Sequence, residues 1–164
     1  MIIRPATADD GPSVYLLRRG YVRDTSVTFS TDESSPQAMA ADISEVLSLG
    51  HGFLVAEDDR GLAGYACYRQ FRSGPGYARA MEHTILLDPR VQGQGLGRRL
   101  MSALESHAAA AGVHVLVAGV SAENAAGVAF HAACGFVETG RMREVGYKFG
   151  RWMDLVLMQK TPGH

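Results

Sequence analysis

The chain has 164 residues, 46% of them apolar and 20% charged, and a net charge of −1; this suits a single soluble domain, residues 1–164, with a real core. Near-neutral charge gives no global attraction to nucleic acid or to an anionic membrane, so neither is an expected partner and any anion site has to be local. No apolar run approaches the ~20 residues needed to span a bilayer, Asp9-Asp10 comes too soon for a secretory leader, and Cys67 and Cys134 lie in no CxxC or zinc spacing, so a cytoplasmic protein with two reduced thiols and no metal is expected.

Ile2-Ile3-Arg4 starts a short strand. Thr7 followed by Ala-Asp-Asp reads as a helix start with acids in the first turn, and the helix is predicted to run to about Arg19. Thr25 to Ser35 is a Ser/Thr/Asp-rich loop. Ser35-Pro36 opens a second helix with Met39, Ile43, Val46 and Leu47 at helical spacing, ended by Gly50-His51-Gly52. Phe53 to Ala56 and Gly64 to Tyr68 are strands around a turn at Asp58 to Gly61. After a loop at Ser73 to Gly76, Tyr77 to Leu87 reads as one long strand. Gly95 to Ala111 is a helix with Leu96, Leu100, Met101 and Leu104 on one side, and Val113 to Val120 a buried strand. A helix over Glu123 to Ala133 and two strands from Phe136 onward, joined near Gly146 to Gly150, complete the chain. The order βααβββαβαββ predicts one α/β domain with a mixed, mostly antiparallel sheet flanked by helices; three consecutive strands exclude a doubly wound parallel fold.

The stretch Gln92-Gly93-Gln94-Gly95-Leu96-Gly97-Arg98 stands between a strand and a helix. Unpaired backbone N–H groups and the helix dipole make such a junction an anion site, and glycines allow close approach. A Walker loop requires Lys followed by Ser or Thr, absent here. The dinucleotide fingerprint fails because Arg98 stands where its third glycine belongs. Gln92-x-x-Gly95-x-Gly97 matches in full the Q/R-x-x-G-x-G/A loop of the GNAT superfamily of N-acetyltransferases, which holds the pyrophosphate of acetyl-CoA.

The resemblance extends over most of the chain. Thr25-Ser-Val-Thr-Phe29, Met81-Glu-His-Thr84, His114 to Gly119, His131-Ala-Ala-Cys-Gly-Phe136 and Gly146-Tyr-Lys-Phe-Gly-Arg-Trp-Met-Asp154 resemble the superfamily branch of phosphinothricin and methionine sulfoximine/sulfone N-acetyltransferases. That resemblance implies two central strands splayed around acetyl-CoA as co-substrate, a small-molecule amine acceptor, and a homodimer. It implies main-chain contacts to the acetyl-pantetheine arm from Ile85, Leu86 and Leu87, with the oxyanion donor at the Leu86 or Leu87 N–H. The pyrophosphate falls to Gln92, Gly93, Gln94, Gly95, Leu96, Gly97 and Arg98, and the CoA arm to Asn124, which by itself also reads as a helix-start residue. Glu82 corresponds to the general base: a protonated amine cannot attack a thioester, so its proton has to leave. In an alternating strand Glu82, Thr84 and Leu86 share one face, and burial would raise the Glu82 pKa. His131 stands where many members carry a Tyr acid; it either protonates the thiolate or lines the CoA site. Phe29, Arg72, Ser73, Tyr77, Glu82, His83 and Thr84 are the expected acceptor-binding residues, with Arg72 gripping a carboxylate and Trp152 a further wall.

The acceptor half also departs from the branch. Arg18-Arg19 replaces a Tyr-Asn pair, Ala78 an Arg, Gly127 a Ser, and Phe29 a Trp. The expected activity is acetylation, by direct transfer, of the α-amine of a small amino acid or analogue. The alternatives are another amine (peptide N-terminus, polyamine, aminoglycoside) or a CoA-binding module without turnover.

Overall fold

A computed structural model describes residues 1–163. The elements follow the predicted order: β1 (Ile2–Pro5), α1 (Gly11–Asp24), α2 (Pro36–Ser48), β2 (Phe53–Asp58), β3 (Gly61–Gln70), β4 (Ala80–Leu87), α3 (Leu96–Ala110), β5 (Val115–Ser121), α4 (Ala125–Ala133), β6 (Val137–Lys148) and β7 (Arg151–Lys160). Several element ends shift by a few residues from the sequence expectation, and two of the differences have a clear cause. Helix α1 continues past Arg19 to Asp24 because its apolar face continues, with Val14 and Val22 both buried two turns apart. Strand β4 begins at Ala80 instead of Tyr77, because Pro75 to Tyr77 forms a 3-10 turn entered through Gly74 at φ 105°.

The seven strands form one sheet in the order β1-β2-β3-β4-β5-β7-β6. Every pairing is antiparallel except β4 with β5. Helix α3 covers one face, burying Leu96, Leu100, Met101 and Leu104 against Leu54, Ala66 and Met81. Each such side chain contributes about 1.5–3 kcal/mol on leaving water. Helices α1 and α2 cover the other face, where Val14, Ile43 and Val46 meet Phe53, Val55, Tyr65 and Leu86. The turn between β6 and β7 places Phe149 and Gly150 at φ 54° and 72°, the two left-handed residues of a tight hairpin.

The pairing of β4 with β5 is what positions the site. It lasts three rungs, Ala80↔Val115, Met81↔Leu116 and Glu82↔Val117, and then stops. Beyond Glu82 the two strands part, β4 staying with β3 and β5 with β7.

Candidate active site

The backbone groups along the parting strand have a defined phase. Asp88 N–H donates to the Ala63 carbonyl and Phe71 N–H to the Ala80 carbonyl, both at 2.9 Å. Because an antiparallel ladder alternates, Glu82, Thr84 and Leu86 spend their backbone groups on β3, whereas Ile85 and Leu87 turn theirs toward the gap. The Leu87 carbonyl accepts the Tyr21 hydroxyl at 2.6 Å, which leaves the Ile85 groups and the Leu87 N–H facing the opening. Side chains follow the same alternation. Leu86 packs on the α1–α2 face with Glu82 and Thr84; Met81, His83, Ile85 and Leu87 lie on the α3 face.

A cavity of about 300 Å³ runs through the gap and joins the two faces. On one side it is walled by Arg18, Thr28, Phe29, Tyr65, Glu82 and Thr84, and on the other by His83, Asn124 and His131. Glu82 presents its carboxylate to this cleft without a hydrogen bond or ion partner. The residue is exposed to the cleft, yet the atoms around it desolvate the charge in part and raise its pKa above the usual carboxylate range. Gly119 across the gap makes the room: a Cβ there would lie 2.8 Å from Glu82 Oε1.

His83 and His131 form a buried pair, Nε2 to Nε2 at 3.0 Å. His131 Nδ1 bonds the Gly127 carbonyl at 2.7 Å, so that nitrogen carries the proton and His131 Nε2 is the acceptor. His83 Nε2 therefore donates, and its Nδ1 is left facing the Val117 carbonyl without hydrogen-bond geometry. Burial lowers both pKa values, and the neighbouring His131 ring lowers that of His83 further. The neutral pair has no spare proton at His131 Nε2.

The glycine loop follows directly. Gly93 and Gly95 have φ of 75° and 79°, and nothing lies within 4 Å of where a Cβ would be at either. Gly95 caps α3 without a side chain, so the first-turn N–H groups of Leu96, Gly97 and Arg98 keep their donors. Arg98 and Arg99 occupy that turn with no acid beside them, against the preference of a helix N-terminus for negative charge. An anion at this position resolves the conflict. Gly97 serves packing, since a Cβ would sit 3.0 Å from Phe130 and 3.3 Å from Leu87. Gln92 and Gln94 are engaged within the protein, Gln92 with the Tyr21 hydroxyl and Gln94 with the Arg90 carbonyl. Asn124 caps α4 through the Gly127 N–H at 2.9 Å while lining the cavity. Backbone groups facing a gap, an uncapped helix start and two unpaired arginines together fit a pyrophosphate-bearing thioester.

Arg72, Ser73 and Tyr77 lie apart from this cleft, in the exposed turn before β4, where the Arg72 guanidinium sits 6.0 Å from the Tyr77 ring centre. Trp152 is also outside, exposed against Tyr147 at 4.7 Å. The structure adds residues that the sequence did not single out for the site. Lys148, buried, donates to the Thr25 and Thr28 carbonyls at 2.5 and 2.8 Å and fastens the loop that carries Phe29. Gly146 seats that ring; a Cβ would be 2.5 Å from it. Both stand in the Gly146–Asp154 motif, which was legible as family signature but silent about its purpose. Arg18 was visible only as a departure.

Known proteins resemble this chain in sequence and in fold. The chain is 44% identical over 111 residues to an L-methionine sulfoximine/L-methionine sulfone acetyltransferase of Salmonella typhimurium, covering 68% of this chain and 65% of the relative, less than two thirds of that protein's length. It is 36% identical to a phosphinothricin N-acetyltransferase of Alcaligenes faecalis over 96% of this chain and 81% of the other. A solved structure of a putative acetyltransferase from Salmonella typhimurium with its cofactor acetyl-CoA superposes with a TM-score of 0.95, at 35% identity, over 100% of this chain and 95% of that one. The sequence model of the acetyltransferase (GNAT) family matches residues 16–136, a span that takes in the parting strands, the glycine loop and the His83–His131 pair, and the chain belongs to that family.

Proposed function

We propose that the protein is an acetyl-CoA-dependent N-acetyltransferase that acts on the α-amine of a small amino acid or analogue of the methionine sulfoximine, methionine sulfone or phosphinothricin type, by direct transfer. The observation that carries this reading is the unpaired Glu82 carboxylate at the point where β4 and β5 part. Bound acetyl-CoA supplies the acetyl thioester. The Ile85 groups and the Leu87 N–H orient its arm, and the amides of Gly93 to Arg98 with the Arg98 charge hold its pyrophosphate. The Leu87 N–H is the donor aimed at developing negative charge on the carbonyl oxygen. Glu82 draws the proton from the acceptor amine, directly or through water. Its raised pKa makes it a stronger base than an ordinary carboxylate. His131 stands on the thiol side of the gap, opposite Glu82, and its proton supply depends on His83.

The chain pairs with a second copy in this reading. Met142, Val145, Tyr147, Phe149 and Trp152 expose apolar surface on the β6–β7 hairpin at the sheet edge, a patch that favours association. Sedimentation analysis should give a dimer, and a monomer at micromolar concentration would reject this part. The activity itself is tested by thiol release from acetyl-CoA with wild type and Glu82→Gln. An amino-acid-dependent signal that the variant loses supports it; acetyl-CoA binding without release on any amine leaves only a CoA-binding module.

A further inference from the structure

An amino-acid acceptor brings a carboxylate into the cleft, and Arg72 does not line it. Arg18 does, and it is the one permanently charged cation among the cavity's lining residues. It is half-buried on α1 and donates only to neutral groups, Nη1 to the Asp32 carbonyl at 3.0 Å and Nη2 to Ser30 Oγ at 3.2 Å. Other half-buried arginines are neutralised: Arg4 by Asp10 and Glu57, Arg19 by Glu33, Arg69 by Asp42, Arg90 by Asp58. Nor is Glu82 its partner: among the described residues no salt bridge joins the two, and the Arg18 donors go to Asp32 and Ser30. A guanidinium oriented by neutral acceptors and left without a counter-charge is prepared for an anion.

Tyr65 gives an independent observation. It is 3% exposed, its ring stacks on Phe53 at 5.5 Å, and its hydroxyl has no protein hydrogen bond. Arg18, Tyr65 and Thr84 are the residues shared by the Glu82 cavity and an adjoining one of about 470 Å³. The acids of that adjoining cavity are engaged, Asp42 with Arg69 and Asp32 with the Ser34 N–H. One guanidinium and two hydroxyl-bearing side chains thus meet at a junction on the Glu82 face of the sheet.

We infer that Arg18, with Tyr65 and Thr84, anchors an anionic group of the acceptor while its amine lies at Glu82, so that the enzyme selects amino acids over polyamines. This deepens the proposed acetyl transfer and rests on it. The anion is either the α-carboxylate or an acidic side-chain terminus, and the choice of acceptors separates them. kcat/KM is measured for wild type, Arg18→Met and Arg18→Lys with phosphinothricin, methionine sulfone, methionine sulfone methyl ester and spermidine. Arg18→Met should lose roughly ten- to hundredfold on anion-bearing acceptors, with the ester and the KM for acetyl-CoA little changed and Arg18→Lys partly restored. Loss on both acids assigns the α-carboxylate; loss on phosphinothricin alone assigns the side-chain anion. Equal loss on the ester, no loss, or a wild type that uses spermidine as well as the acids overturns the inference while leaving acetyl transfer intact. If wild type releases no thiol on any acceptor, the transfer reading fails instead. Calorimetric titration of methionine sulfone and phosphinothricin then decides: weaker binding by Arg18→Met upholds the anchor, and equal or undetectable binding in wild type and variant rejects it.

Discussion

The two sides of the cleft are built by different means. The side that fits acetyl-CoA is mostly main chain: the Ile85 groups, the Leu87 N–H and the first turn of α3. The side proposed for the acceptor is side chains delivered from afar. Arg18 and Phe29 come from the first 30 residues, and the loop holding Phe29 is tied by Lys148, 123 and 120 positions from the carbonyls it grips. Main-chain recognition tolerates changes of side chain, whereas a wall of long-range contacts is altered by single substitutions. The first side should therefore resist mutation and the second should respond to it.

The sharpest division is expected at Glu82. Glu82→Gln should lower kcat by about 10²–10⁴-fold with acetyl-CoA affinity unchanged; parallel loss of acetyl-CoA affinity would show that Glu82 supports the arm as well. In the proposed mechanism the same carboxylate sets the acid limb of kcat/KM. Glu82 has to be ionised to accept a proton, and burial raises its pKa. Activity should accordingly fall as pH drops through a value above the ordinary 4.5, and a limb at or below that value would remove Glu82 from the role.

Gly146→Ala tests the acceptor wall without touching charge. Its Cβ would meet the Phe29 ring at 2.5 Å, so the ring has to move. The KM for the acceptor should rise on the order of tenfold or more, about the value of misplacing one apolar contact, with the KM for acetyl-CoA constant. Lys148→Met removes the tether and leaves two carbonyls without a charged donor. A loss of about 1–3 kcal/mol of stability and a several-fold rise in acceptor KM are expected from denaturant titration and steady-state kinetics. If acetyl-CoA KM rises instead in either variant, the two sides are not separable.

The smallest effect is expected from His83→Phe, read as stability against pH. Both buried histidines have pKa values lowered in the fold. Below about 6.5 the unfolded chain then binds more protons than the native one, so stability falls as pH drops from there toward the folded values. The slope approaches ~1.4 kcal/mol per pH unit for each histidine. His83→Phe should flatten that slope in urea titrations between pH 6.5 and 5. An unchanged slope would mean that the pair is not the source.

The same division explains what could be read in advance. Gly93, Gly95 and Gly97 are visible as letters because left-handed backbone and close helix packing demand glycine. The apolar periods of α2 and α3 gave their extents for the same local reason. Lys148 and Tyr65 carry no local signature; their importance arises only when the fold brings a C-terminal strand to the Thr25–Thr28 loop and β3 to Arg18 of α1. Arg72 illustrates the converse, a residue suggested by resemblance that the fold leaves on an exposed turn outside the cleft. The sequence hides the end of α1 because Arg18-Arg19-Gly20 interrupts the apolar letters without interrupting the buried stripe.

The three-rung union of β4 and β5 has a consequence for folding rather than for chemistry. The sheet is in effect two wings, β1 to β4 and β5 to β7, sharing one short seam. A ligand that bonds the exposed edge of β4 counts as a structural member, closing a seam that the chain leaves short. Co-substrate supply then governs how rigid the protein is, through the ordinary coupling of binding to stability. Slow amide exchange at Ile85 and Leu87 would become a reporter of the acetyl-CoA level around the protein.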